Sequence, residues 1–128
     1  MLNMPDKVII PLNLVIELHC FPNTDKEITI YSGFREKSVE EGFLVAWPQG
    51  YHRSRNVGEV DDSPSDVPEF ERSCCGDAFK EKIDDVGFLK KLVQNVTTLF
   101  DVDTHKHVYW TGASNGCAMA QRMAAECS

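Results

Sequence analysis

The residues of this 128-residue chain best suited to bond-making chemistry are Gly112-Ala113-Ser114-Asn115-Gly116. They form a G-x-S-x-G pattern, entered by the β-favouring run Val108, Tyr109, Trp110 and Thr111 and left by a small-residue helical run through Met123. Strand, tight turn and helix in that order make a nucleophile elbow, with the serine hydroxyl presented above the strand ends. Glycines are needed at 112 and 116 because a Cβ at either place would meet the neighbouring strand or helix. The Asn115 N–H, at the start of the helix, faces the oxyanion that forms when Ser114 attacks a carbonyl.

A serine also needs a base to take its proton as attack occurs. The chain has four histidines to offer. His19 ends the first apolar run on the side where the elbow lies, a place suited to bracing a loop. His52 follows the second apolar run on that same side, in a loop that can bend inward. His107 lies seven residues before Ser114, at the opposite end of the feeding strand. That puts it roughly 20 Å away at ~3.3 Å per residue, and His105 is farther still.

The elements that must position these groups read as an alternation. Val8–Leu18 is near-continuously apolar after Pro11, as for a strand buried on both faces of a parallel sheet. His19 to Asn23 is a loop, and Thr24-Asp25-Lys26-Glu27 has the form of a capping box opening one helix that runs to Glu41 and stops at Gly42. Phe43–Trp47 is a second buried strand, closed by Pro48-Gln49-Gly50. Residues 51–80 lack periodicity and form a loop insertion whose acidic part carries Pro64 and Pro68. Asp84 and Asp85 suit the positive end of the next helix, not a catalytic carboxylate pair. Val86, Leu89, Leu92, Val93, Val96 and Phe100 give that helix an apolar, core-facing stripe. Alternating strands and helices of this kind imply a parallel sheet covered by helices, with its reactive face at the carboxyl ends of the strands. The loop after Leu18, the Pro48-Gln49-Gly50 turn and Ser114 all fall on that face. Trp47 and Trp110 read first as core residues at strand ends, with Trp110 close enough to the elbow to border a substrate cleft.

Composition sets limits. A net charge of −7 argues against nucleic acid or an anionic membrane as partner. No apolar run approaches the ~20 residues of a membrane span, and Val8–Leu18, interrupted by Pro11, Asn13 and Glu17, reads as a strand and not a signal peptide. The five cysteines (Cys20, Cys74, Cys75, Cys117, Cys127) show no C-x-x-C, and no histidine stands at zinc spacing from them. Neither metal nor cofactor is expected. A disulfide from Cys74 to another cysteine and a packed thiol both remain open. Asn95-Val96-Thr97 matches a glycosylation sequon inside the stripe-bearing helix.

Several pieces of the chain resemble the family of α/β-hydrolases that holds polyhydroxybutyrate depolymerases and feruloyl and acetylxylan esterases. They are Leu14–His19, Trp47-Pro48-Gln49-Gly50, Cys74-Cys75-Gly76, Ile83–Leu89 and His107–Gly116, in the family's order from about residue 12 onward. The resemblance implies a secreted serine esterase with Ser114 as nucleophile, acting on small or polymeric esters. It implies an oxyanion hole built from the N–H of Asn115 and one from Cys20 or Phe21, with His19 and Trp110 near the substrate. The chain departs from the pattern at Cys20, where the family has glycine after the histidine, and at Cys117, where it has a second glycine. A side chain at Cys20 disfavours some backbone angles open to glycine, and Pro22 has no N–H to give.

In this fold the acid and the histidine follow the serine in chain order, yet Cys117–Ser128 contains neither His nor Asp. Residues 1–128 are therefore expected to be a single partial α/β-hydrolase domain lacking the C-terminal strands, a fragment or truncated product with little turnover of its own. The alternative is a non-catalytic remnant acting as a binding module. Family strand order puts the Val8–Leu18 strand between the other two, leaving apolar outer strands that invite self-association through exposed sheet edges.

Overall fold

The computed structural model describes residues 1–4, 11–59, 74–103 and 107–127. Its sheet has four strands: β1 (Leu2–Asn3), β2 (Leu14–Leu18), β3 (Leu44–Ala46) and β4 (Val108–Gly112), in the order β1-β3-β2-β4. β2 pairs in parallel with both β3 and β4, in register Leu14 with Leu44 and with Val108, so the first long strand is central as expected. The sheet is nonetheless mixed, because β1 pairs antiparallel with β3 through Leu2–Ala46 and Asn3–Val45. Only one outer strand, β4, ends the described sheet without the cover that β1 gives β3.

The central strand is shorter than the apolar run. Residues 5–10 lie outside the described residues, and Leu12 makes a separate bridge to Val102. Within β2 the side chains alternate between two cores, as strand geometry requires. Leu14, Ile16 and Leu18 pack with Leu44, Ala46, Leu89, Val96, Met119, Ala120 and Met123 on the side of α4 (Asp85–Leu99) and α5 (Asn115–Glu126). Val15 faces Ile28, Val45, Trp47, Phe34 and Phe43 on the side of α1 (Asp25–Tyr31) and α2 (Phe34–Glu41). Glu17 points to this second side, buried, and accepts hydrogen bonds from Trp47 Nε1 and Ser32 Oγ. The apolar stripe of α4 packs as read: Leu89 and Val96 are buried, and Val86, Leu92, Val93 and Phe100 lie against the same core.

The capping box is present in full, Thr24 Oγ1 accepting from Glu27 N and Glu27 Oε2 accepting from Thr24 N. The single helix expected from Thr24 to Glu41 is instead two. Gly33 at φ +76° breaks it between α1 and α2, and Ser32 donates to the buried Glu17. Gly42 closes α2 at φ +80°. Within the loop region 51–80, a turn over Tyr51–Ser54 and a short helix, α3 (Asp77–Lys80), are ordered elements the sequence did not signal; positions 60–73 lie outside the described residues.

Candidate active site

The motif at 112–116 folds as an elbow. β4 ends at Gly112, Ser114 sits at φ +51°, ψ −117°, and α5 begins at Asn115. A positive φ in a residue with a Cβ is a strained conformation held by its surroundings, and the surroundings are main chain. A Cβ on Gly112 would come within 2.6 Å of the Leu18 carbonyl oxygen and 2.7 Å of Gly116. A Cβ on Gly116 would overlap the Leu18 carbonyl and reach 2.6 Å from that of His19. Ala113 N donates to Leu18 O at 3.2 Å, tying the turn to the end of β2. Ser114 itself is exposed.

Asn115 has two functions at once. Its main-chain N–H, at the first position of α5, is one of the donors a helix leaves without an internal acceptor. Its side chain is buried: Oδ1 accepts from Arg55 N at 2.8 Å, while Nδ2 donates to Arg55 O at 3.1 Å and Cys74 O at 3.2 Å. The elbow is thereby fastened to two preceding loops. Arg55 is fully buried and paired with Asp85 across 3.3 Å, with its Nη2 donating to Pro48 O at 2.6 Å. Asp85 also accepts from Asn56 N at 2.7 Å. Burial lowers the pKa of Arg55 and raises that of Asp85, in each case against their mutual attraction. Asp84 caps α4 through Gly87 N, as its place in the sequence suggests. Asp85, read with it as helix-end charge, is an internal partner of Arg55, and Arg55 was not singled out from sequence at all.

His19 is buried with both ring nitrogens engaged. Nε2 accepts from Gly50 N at 2.9 Å, which leaves Nδ1–H to donate to Cys20 O at 3.0 Å. It joins the loop after β2 to the loop after β3. Burial lowers its pKa, so the neutral ring is the stable form. Cys20 lies outside the left-handed region, so no backbone strain follows from its side chain. Its carbonyl also accepts from Asn23 N, forming a turn that carries the exposed Phe21 toward Gly76.

No histidine among the described residues hydrogen-bonds Ser114. His52 pairs through Nδ1 with Asp77 at 3.1 Å, and His107 contacts Asn13 Oδ1 at 2.8 Å near the entry of β4. His105 is outside the described residues. Trp110 lines a groove of about 560 Å³ along the outer edge of β4, with Val93, Gln94, Val108, Tyr109 and Ala124, and Ser114 is not among the groove's residues. Trp47 is a buried core residue as read. Cys74 and Cys75 are bonded to each other, resolving the open pairing, and Asn95 is exposed on α4.

No protein-family model matches the chain, and no curated protein matches it. Among solved structures, the acetyl xylan esterase from Aspergillus awamori superposes with a TM-score of 0.70 over 97% of this chain at 18% identity. The chain spans 40% of the length of that structure. The fold is esterase-like: a small α/β arrangement of a mixed four-stranded sheet and helices.

Proposed function

We propose that this chain carries the nucleophile-bearing part of a serine hydrolase that cleaves carboxylic esters through an acyl-enzyme on Ser114, as a partial α/β-hydrolase fold. The observation that carries the reading is Ser114 itself, exposed at positive φ between β4 and α5. In this reading the Ser114 hydroxyl attacks the ester carbonyl and the Asn115 N–H at the helix start receives the developing oxyanion. The superposition on an acetyl xylan esterase supports ester chemistry; acetylated or feruloylated polysaccharides, or hydroxyacid polyesters, are the substrate class that the sequence resemblance implies. Cys20 or Phe21, in the loop anchored by His19, supplies the second oxyanion donor in this reading. In this reading the protein acts outside the cell, as the sequence resemblance implies.

A second reading is favoured by the histidines. His19 is buried and His52 and His107 are turned to other partners, so among the described residues no histidine serves the elbow as a base. Labelling the folded chain with a fluorophosphonate, with Ser114→Ala beside it and the adduct located by peptide mass spectrometry, separates the two. Modification at Ser114, absent from Ser114→Ala, supports the hydrolase reading and makes His52→Ala the next variant. A folded chain that takes no label would sink catalysis by this chain and leave the binding-module reading.

A further inference from the structure

We propose that His52, Asp77 and Glu81 form a binding site for a divalent metal ion of the zinc class. One donor atom from each of the three side chains lies within 4.8 Å of the other two. Zinc held at about 2.0–2.2 Å from nitrogen and oxygen donors puts tetrahedral ligand atoms roughly 3.4 Å apart. Closing the present set to that spacing takes small rotations of three solvent-facing side chains. His52 Nδ1 and Asp77 Oδ2 already stand at 3.1 Å.

The placement follows from two elements locked together. Asp77 opens the single turn of α3 and Glu81 is its C-cap, four residues on, with its N–H bonded to the Asp77 carbonyl, a spacing that puts side chains on one face. His52 comes from the facing turn, in which His52 and Arg53 both take positive φ, 43° and 65°. The turn is closed by Arg53 N to Gly50 O and Ser54 N to Tyr51 O. Ser54, buried beneath it, accepts from Ala78 N at 3.1 Å and so fixes the turn to the helix.

A second layer orients the donors. The Tyr51 hydroxyl donates to Glu81 Oε2, and the Tyr51 ring stacks on the imidazole at 4.1 Å with 17° between planes. Partners of this kind set ligand orientation at metal centres. Two carboxylates and an imidazole nitrogen are donors of the kind that hold a zinc-class dication. Arg53, Lys80 and Lys82 are close in sequence, yet among the described residues neither Asp77 nor Glu81 forms an ion pair with a lysine or arginine. With three protein donors, the remaining coordination position is open to water. No sequence motif marks the site, because His52 lies 25 residues before Asp77. The proposal stands apart from the chemistry assigned to Ser114.

The test uses the whole chain, stripped with EDTA, with its free thiols Cys20, Cys117 and Cys127 alkylated so that they do not compete. Zinc chloride is titrated calorimetrically, and cobalt(II) is bound in parallel for its visible spectrum. One ion per chain is expected, with a cobalt spectrum of four- or five-coordinate intensity. Affinity falls at least about tenfold in His52→Ala and in the Asp77→Asn, Glu81→Gln double variant. Circular dichroism is expected to match wild type, since His52 and Asp77 are about half exposed. A wild type with no saturable binding at millimolar zinc overturns the proposal, as does equal affinity in folded variants.

Discussion

Asn115 and Arg55 exchange two hydrogen bonds, the side-chain amide of one meeting both main-chain groups of the other at 2.8 and 3.1 Å. An asparagine thus does for one loop residue what a neighbouring strand would do. Asn115→Ala leaves the buried Arg55 N–H and carbonyl unmatched, and is expected to cost about 2–4 kcal/mol of stability, since each orphaned buried group costs ~1–3 kcal/mol. Urea unfolding measures this. The variant keeps the main-chain N–H at 115, so its folded fraction also reports whether the lock positions Ser114 for fluorophosphonate attack; a labelling rate equal to wild type would show that it does not.

The Arg55–Asp85 pair is buried on both sides. Removing one partner strands the other charge, which typically costs ~3–5 kcal/mol. Arg55→Met and Asp85→Leu, made singly, are each expected to approach that loss. The double variant is expected to recover part of it, because no lone charge then remains buried. Additive single effects in the thermodynamic cycle would show that the two do not act as a pair.

His19 gives stability a pH dependence of definite sign. Its folded pKa lies below the ordinary value of 6.5, so the unfolded chain binds the proton more readily. Stability from this group is complete above about pH 6.5 and is lost as pH falls toward the folded pKa, at ~1.36 kcal/mol per unit of depression. Glu17 works in the opposite sense. Its pKa is raised, chiefly by burial, so its penalty grows as pH rises from 4.5 through the folded value. Comparing wild type with His19→Gln at pH 5 and pH 7 isolates the first effect. The difference in stability between the two proteins is expected to shrink at pH 5, and a difference independent of pH would contradict the neutral, bracing histidine.

Gly116 and Gly33 offer a contrast between crowding and backbone angle. Gly116 faces main-chain carbonyls, whereas Gly33 has open space around it and only a positive φ to defend. Gly116→Ala is expected to cost 3 kcal/mol or more, at or beyond the ~1–3 kcal/mol of ordinary overpacking. Gly33→Ala is expected to cost about 1 kcal/mol, the penalty of a left-handed residue with a Cβ. Thermal unfolding of the two variants side by side checks the order.

The elbow was legible in the sequence because local chemistry decides it: a β-favouring run, two glycines and a helical run are contiguous. The capping box at Thr24 and the α4 stripe were legible for the same reason. What was missed depends on distant partners. Arg55 sits in an aperiodic stretch, and nothing near it in sequence tells a buried arginine from a solvated one. Asp85 looks like ordinary helix-end charge until Arg55 is found beside it. β1 is two residues long and exists only through its pairing with β3. The break at Gly33 carried a local sign, Ser32-Gly33, which the helix-favouring residues on either side masked.

The contacts described around Ser114 have a direction along the chain. Leu18, Arg55 and Cys74, which hold the turn and Asn115, all precede the serine, as do β2 and β3. During synthesis each of them leaves the ribosome before Ser114 does, and domains build from the N-terminal side as they emerge. Among the described elements, α5 alone comes after the serine. The nucleophile thus follows the groups that grip its turn, and the turn can close once the twelve residues of α5 have followed it out.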